Sequence, residues 1–168
     1  MKTTKQVEPL KIPQSILILN DIRSIINVGA IFRTADAIGV DQIILAGVSP
    51  APIDRFGRVR ADFAKASLGS EYSVSWGQSE NIVKKIKDLK KQGYTIITIE
   101  QTPISIHFKK YKLKKNQKVV IIPGNEVDGA PKQILKLSDV ILELPMRGVK
   151  ESLNVSVATG IILYHLLD

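Results

Sequence analysis

The sequence predicts an α/β fold, a mainly parallel sheet flanked by helices, from three observations. Short β-branched and aliphatic runs alternate with longer segments of helical period. Several apolar runs are continuous rather than alternating, as strands covered on both faces require. The informative polar clusters follow the apolar runs, where ligands gather in an open parallel sheet.

The elements follow in order. Residues 1–14 read as a tail and 15–168 as a single domain, with no internal repeat and no boundary within it. Ser15 to Leu19 form a buried strand ending at Asn20. From Asn27 the period changes: Val28, Ile31, Phe32, Ala35 and Ile38 share a helical face that Gly39 terminates. Gln42 to Leu45 form a second strand, and 47–60 is a turn-rich loop carrying Gly, Pro and Arg. A brief helix over Asp62 to Leu68 leads into a weak strand near Tyr72 to Ser75. Ser79 then caps a helix with Ile82, Val83, Ile86 and Leu89 as its buried stripe. Tyr94 to Ile99 is a strand rich in β-branched residues, and Val119 to Ile122 another. Between them, 109–118 holds the densest positive run. Pro131 suits the first turn of a short helix, and Val140 to Glu143 form the last strand. The final helix starts near Ser152 or Asn154; its apolar side is assigned to Leu153, Val157, Ile161 and Leu167, widened by Ala158, Ile162 and Leu166.

Composition narrows the chemistry. The absence of cysteine excludes disulfides, thiolate metal sites and cysteine nucleophiles, and two histidines argue against a histidine-rich metal centre. No metal is expected. The opening residues lack a signal-peptide core, and no apolar stretch approaches the roughly 20 residues that span a bilayer. A cytoplasmic protein with no membrane partner is therefore expected. The 24 Lys and Arg against 16 Asp and Glu, a net charge of +8, favour a polyanionic partner.

Three polar clusters carry a resemblance. Asn27-Val28-Gly29-Ala30-Ile31-Phe32-Arg33-Thr34-Ala35 is the first; the Gly124-Asn125-Glu126 loop with Gly129 is the second. The third and longest runs from Leu144 to Ala158, LPMRGVKESLNVSVA. In this order they resemble the signature motifs of the SpoU/TrmH branch of the SPOUT RNA methyltransferases, over nearly the whole chain. The second motif departs from the usual pattern: Asn125 stands where relatives usually have Ser or Thr, and Val127-Asp128 replaces a more glycine-rich continuation. Ile26 also precedes Asn27 where Pro or Gly is common nearby.

The resemblance implies a SPOUT-type α/β knot with a C-terminal deep trefoil, a homodimer, and S-adenosylmethionine bound in the knot. It implies methyl transfer to a ribose 2'-hydroxyl of structured RNA, with tRNA favoured over rRNA. Asn27, Arg33, Glu126, Ser152 and Asn154 are then the catalytic group. The guanidinium of Arg33 would clamp the phosphate beside the target ribose and stabilise a developing alkoxide; its very high intrinsic pKa argues against a role as base. Asn27 would hold Arg33 or a backbone turn, unless it is merely a helix cap, and Glu126 would orient Asn27, Arg33 or the RNA. Ser152 and Asn154, at a helix start with free N–H groups, would orient the hydroxyl. By family position Ile99, Gly124, Leu144, Met146 and Leu153 hold the donor. Arg55, Arg58, Arg60, Lys65, Arg147 and Lys150 form the RNA track, where Phe56 adds a stacking surface between two arginines. Two other readings stand beside this one: a catalytically inactive RNA-binding or ribosome-assembly protein that keeps the fold, and methylation of a base nitrogen.

Overall fold

The computed structural model describes residues 14–168, so the expected 1–14 tail lies outside the described residues apart from Gln14. The chain runs β1 (Ser15–Asn20), α1 (Ile25–Ile38), β2 (Gln42–Ala46), α2 (Ala61–Ser67), α3 (Ser70–Ser73), β3 (Ser75–Ser79) and α4 (Ile82–Lys91). It continues with β4 (Thr95–Ile99), β5 (Ile106–His107), β6 (Val119–Pro123), α5 (Lys132–Leu137), β7 (Val140–Glu143) and α6 (Val155–Leu167). The seven strands form one parallel sheet in the order β3-β2-β1-β6-β4-β7-β5.

Strand residues of opposite parity build two cores, which explains the unbroken apolar runs. Leu17, Leu19, Ile43, Leu45, Ile97 and Ile121 pack under α1, α2 and α6, whereas Ile16, Ile18, Ile44, Ile96, Val120 and Ile122 pack under α4 and α5. Helices α1 and α2 approach closely: a methyl group on Gly29 would stand 2.8 Å from the Ala66 Cβ and 3.1 Å from the Phe63 carbonyl oxygen. Phe32 and Phe63 fill the same seam edge to face, with centroids 5.1 Å apart.

Helix α1 ends as its sequence prescribes. Gly39 takes the left-handed conformation (φ 80°), and its N–H reaches the Ala35 carbonyl at 3.0 Å. Its start corrects the cap reading of Asn27: Ser24 is the cap, accepting from the Asn27 N–H at 3.2 Å, so the Asn27 side chain is free for other work.

Other expectations are corrected too. The strand placed near Tyr72 to Ser75 is the short helix α3, and the strand begins only at Ser75. Asn81, not Ser79, caps α4 by accepting from the Lys84 N–H at 3.0 Å. Ile106–His107 forms the edge strand β5, too short to leave a pattern. In α6 the buried residues are Val155, Thr159, Ile162, Leu163, Leu166 and Leu167. Leu153, Val157 and Ile161, assigned inward, are 43%, 50% and 38% exposed. This helix is apolar nearly all round, and periodicity cannot orient such a helix.

Candidate active site

Four segments meet beyond the C-terminal ends of the central strands β4, β6 and β7. They are the first turn of α1, the turn after β4, the loop 124–129 after β6, and the segment 144–154 leading into α6. Each has a local reason for its shape. In the 124–129 loop, Asn125 Oδ1 accepts from the N–H groups of Val127 (2.9 Å) and Asp128 (2.8 Å). Gly129 closes the loop at φ 69°. Asn125, the residue departing from the familiar pattern, thus folds its own loop. Asn154 caps α6, accepting at Oδ1 from the Ser156 N–H (2.8 Å) and the Ser156 hydroxyl (2.6 Å).

The polar side chains of these segments form one relay. Asn154 Nδ2 donates to Asn27 Oδ1 at 3.1 Å, and Asn27 Nδ2 donates to Glu126 Oε1 at 2.9 Å. The Arg23 N–H donates to Glu126 Oε2 at 3.3 Å. All three motifs are therefore joined through Asn27, across sequence separations of 99 and 127 residues. Asn27 holds Glu126 and Asn154, not Arg33 as one expectation had it.

Partial burial pushes the Glu126 carboxyl up, but hydrogen bonds from the Asn27 side chain and the backbone near Arg23, Ser24 and Glu126 outweigh it. The net position is below the usual value of 4.5. A group depressed by folding stabilises above its unfolded pKa, and the contribution fades as pH falls through the folded one. The melting difference between wild type and Glu126→Gln should therefore be constant above pH 4.5 and shrink below it. Thermal unfolding across that range checks the expectation, and a difference independent of pH would refute it.

Beside the relay opens a cavity of about 380 Å³. Its lining includes all five residues expected to hold the donor, Ile99, Gly124, Leu144, Met146 and Leu153, together with Glu126, Ser152 and Asn154. Buried Ile99 and Leu144 and half-buried Met146 make an apolar wall, and the size lies within the range typical of small-molecule sites. A Cβ on Gly124 or Gly129 would overlap the Glu100 carboxylate and force it to shift, and Gly129 is favoured besides by its left-handed φ of 69°. An apolar slot for a flat ring system, backed by backbone polar groups and carboxylates, fits S-adenosylmethionine.

Sequence reasoning missed Glu100, Gln101 and Glu143, which also line the cavity. Glu100 Oε2 accepts from the Ala130 N–H at 2.6 Å, and Gln101 Nε2 donates to the Glu151 carbonyl at 3.1 Å, so this turn ties two other loops together. Polar residues at the end of a strand or directly after it were the available signal.

Arg33 stands apart. It is exposed on α1 and forms no ion pair among the described residues. Six residues beyond Asn27, it points about 120° away around the helix, on the face of Ile26. Arg55, Arg58 and Lys65 are exposed and Arg60 is half-buried at the start of α2; Arg147 and Lys150 are exposed in the 144–154 segment. Arg55 and Arg58 flank the exposed Phe56 ring, 4.7 and 5.1 Å from its centroid, and Asp54 fixes Arg58 through a 2.9 Å ion pair. Among the described residues, no helix is long and apolar enough to cross a membrane.

Comparison with known proteins agrees with this geometry. The chain is 32% identical over 157 residues to a 23S rRNA (guanosine-2'-O-)-methyltransferase of Neisseria meningitidis, covering 94% of this chain and 59% of the relative. It is 29% identical over 170 residues to a tRNA (guanosine(18)-2'-O)-methyltransferase of Aquifex aeolicus, covering 98% and 74%. The fold superposes with a TM-score of 0.80 on an AdoMet-bound rRNA methyltransferase from Sinorhizobium meliloti, at 26% identity, covering 90% of this chain and 55% of that one. The chain thus spans a little over half the length of the first and third of these proteins. Residues 14–164 match one family throughout: the chain belongs to the SpoU rRNA Methylase family.

Proposed function

We propose that this protein is a cytoplasmic methyltransferase that transfers a methyl group from S-adenosylmethionine to a ribose 2'-hydroxyl in structured RNA, with tRNA the first substrate to try. The observation that carries this reading is the meeting of the three motifs: the Glu126–Asn27–Asn154 relay borders the cavity lined by every expected donor residue. Relatives acting on both tRNA and 23S rRNA support an RNA substrate.

When bound, the donor supplies an electrophilic methyl on a sulfonium. The new bond joins the 2'-oxygen to the methyl carbon, the sulfur–carbon bond breaks with its electron pair returning to sulfur, and the hydroxyl proton leaves. In-line placement is the main requirement on the protein. Ser152 and Asn154 orient the hydroxyl, the relay through Asn27 fixes Asn154, and Arg33 holds the adjacent phosphate. The Arg55–Phe56–Arg58 loop takes phosphate and an unstacked base, with Arg60, Lys65, Arg147 and Lys150 extending the track.

A homodimer completes the proposal. Val157, Ile161 and Tyr164 make an exposed apolar stripe along α6, continued by Leu153 just before it, and Ile26 is 63% exposed on neighbouring α1. Such a stripe fits a second copy of the chain. The trefoil threading that the resemblance implies belongs to the same proposal.

Incubation with donor carrying a labelled methyl and host tRNA or rRNA should place label on one ribose oxygen. Digestion to nucleosides and mass spectrometry reads the position. Label on a base nitrogen, or donor binding without transfer to either RNA pool, would reject the reading. Light scattering should give twice the chain mass.

A further inference from the structure

The donor cavity carries the opposite charge from the rest of the protein. The chain is +8 overall, yet Glu100, Glu126 and Glu143 line the cavity, and among the described residues no lysine or arginine does. Two of these carboxylates lie outside the catalytic relay. Glu100 is fixed at both oxygens, Oε2 by the Ala130 N–H at 2.6 Å and Oε1 by the Gln101 N–H at 2.9 Å. It lies against Gly124 and Gly129, where any side chain would displace it. The Ser105 hydroxyl donates to Glu143 Oε2 at 2.7 Å. Both carboxylates are thus held at the end of the sheet beside an apolar wall, where charge interactions are less screened than in water.

We propose that Glu100 and Glu143 are specificity-determining residues that make this cavity select the sulfonium donor over its uncharged thioether product. S-adenosylmethionine carries an ammonium, a carboxylate and a sulfonium, a net charge of +1. Departure of the methyl leaves the electron pair on sulfur, so S-adenosylhomocysteine has no net charge. Each turnover therefore removes one positive charge from a negatively lined cavity. Shape cannot separate two ligands that differ by one methyl nearly as well as this change of charge can. The consequence is directional: the cavity holds the ligand before transfer and releases it afterwards.

The inference rests on the donor-site reading above, and titration calorimetry separates the two. Wild-type protein should bind S-adenosylmethionine at least five-fold more tightly than S-adenosylhomocysteine. Sinefungin, with an amine in place of the sulfonium, should follow the donor. Glu100→Gln and Glu143→Gln should each shrink the donor-to-product affinity ratio at least two-fold, mainly by weakening the donor. A purely architectural Glu100 would weaken both ligands alike; Glu143→Gln, away from the glycine turn, keeps the test independent of loop damage. Equal affinities in the wild type, or a ratio unchanged in both variants, would overturn the proposal. Binding of none of the three ligands by the wild type would overturn the donor site itself.

Discussion

Replacing Arg33 with alanine is expected to lower kcat/KM on RNA by about 10²–10³-fold, the loss typical of removing one preorganised donor to a developing oxyanion. Stability should stay within about 0.5 kcal/mol of wild type, because an exposed residue away from buried partners rarely affects folding. The side chain fits that description: it makes no ion pair among the described residues. An exposed charge with no ion pair among the described residues is free to take the RNA phosphate that the proposed function assigns to it. Arg33→Lys should recover only part of the rate, since an ammonium lacks the two-point fork. Its direction raises a sharper expectation. Arg33 shares a helix face with exposed Ile26 and not with Asn27, so in the proposed dimer it is expected to act on the relay of the other copy. Mixing the Arg33→Ala protein with a variant inactive at Asn154 should then restore one working site per mixed dimer. If the mixture stays as inactive as its components while mixed dimers form, Arg33 serves its own subunit. If Arg33→Ala turns over normally, the residue has no part in the reaction.

The fold was readable because its signals are local. The strands read from Ser15, Gln42, Tyr94, Val119 and Val140 are present, since β-branched runs bounded by turns report covered strands without knowledge of neighbours. The two-residue strand β5 was not readable; its pairing with β7 is decided by tertiary contacts at a sheet edge. The direction of α6 was also hidden. Leu153, Val157 and Ile161 have the spacing of a core stripe, but residues on the other side are apolar too, and two apolar faces give no rule for which turns inward. At the site, the motifs named Asn27, Glu126 and Asn154, yet not their partners. Hydrogen bonds across 99 and 127 residues depend on the sheet order that brings β1, β6 and α6 together. Glu100 has only the weak local signature of a polar residue after a strand, which is ordinary until two glycines from another loop close over it.

Asn154→Asp is expected to abolish most turnover, by about 100-fold, without loosening the helix that it starts. Asparagine has two functions here, on different atoms. Its Oδ1 caps α6 through Ser156, and aspartate keeps that acceptor while adding a negative charge favourable at a helix N-terminus. Its Nδ2 donates to Asn27 Oδ1, and there aspartate offers a second acceptor where a donor is needed. Two oxygens facing each other force Asn27 to turn or withdraw. The Asn27 bond that holds Glu126 is disturbed with it. A shift of about 1 Å at a reacting group costs on the order of 100-fold in rate. The loss should fall on kcat, and donor affinity should not fall, because the apolar wall of the cavity is untouched and the new carboxylate adds to its negative lining. Asn154→Ala gives the contrast: it breaks the relay and also removes the cap, so it should lose similar activity plus about 1 kcal/mol of stability. Thermal unfolding, donor calorimetry and single-turnover transfer on one RNA measure these effects separately. Turnover of Asn154→Asp within two-fold of wild type would mean that the relay is scaffolding and that the hydroxyl is oriented elsewhere.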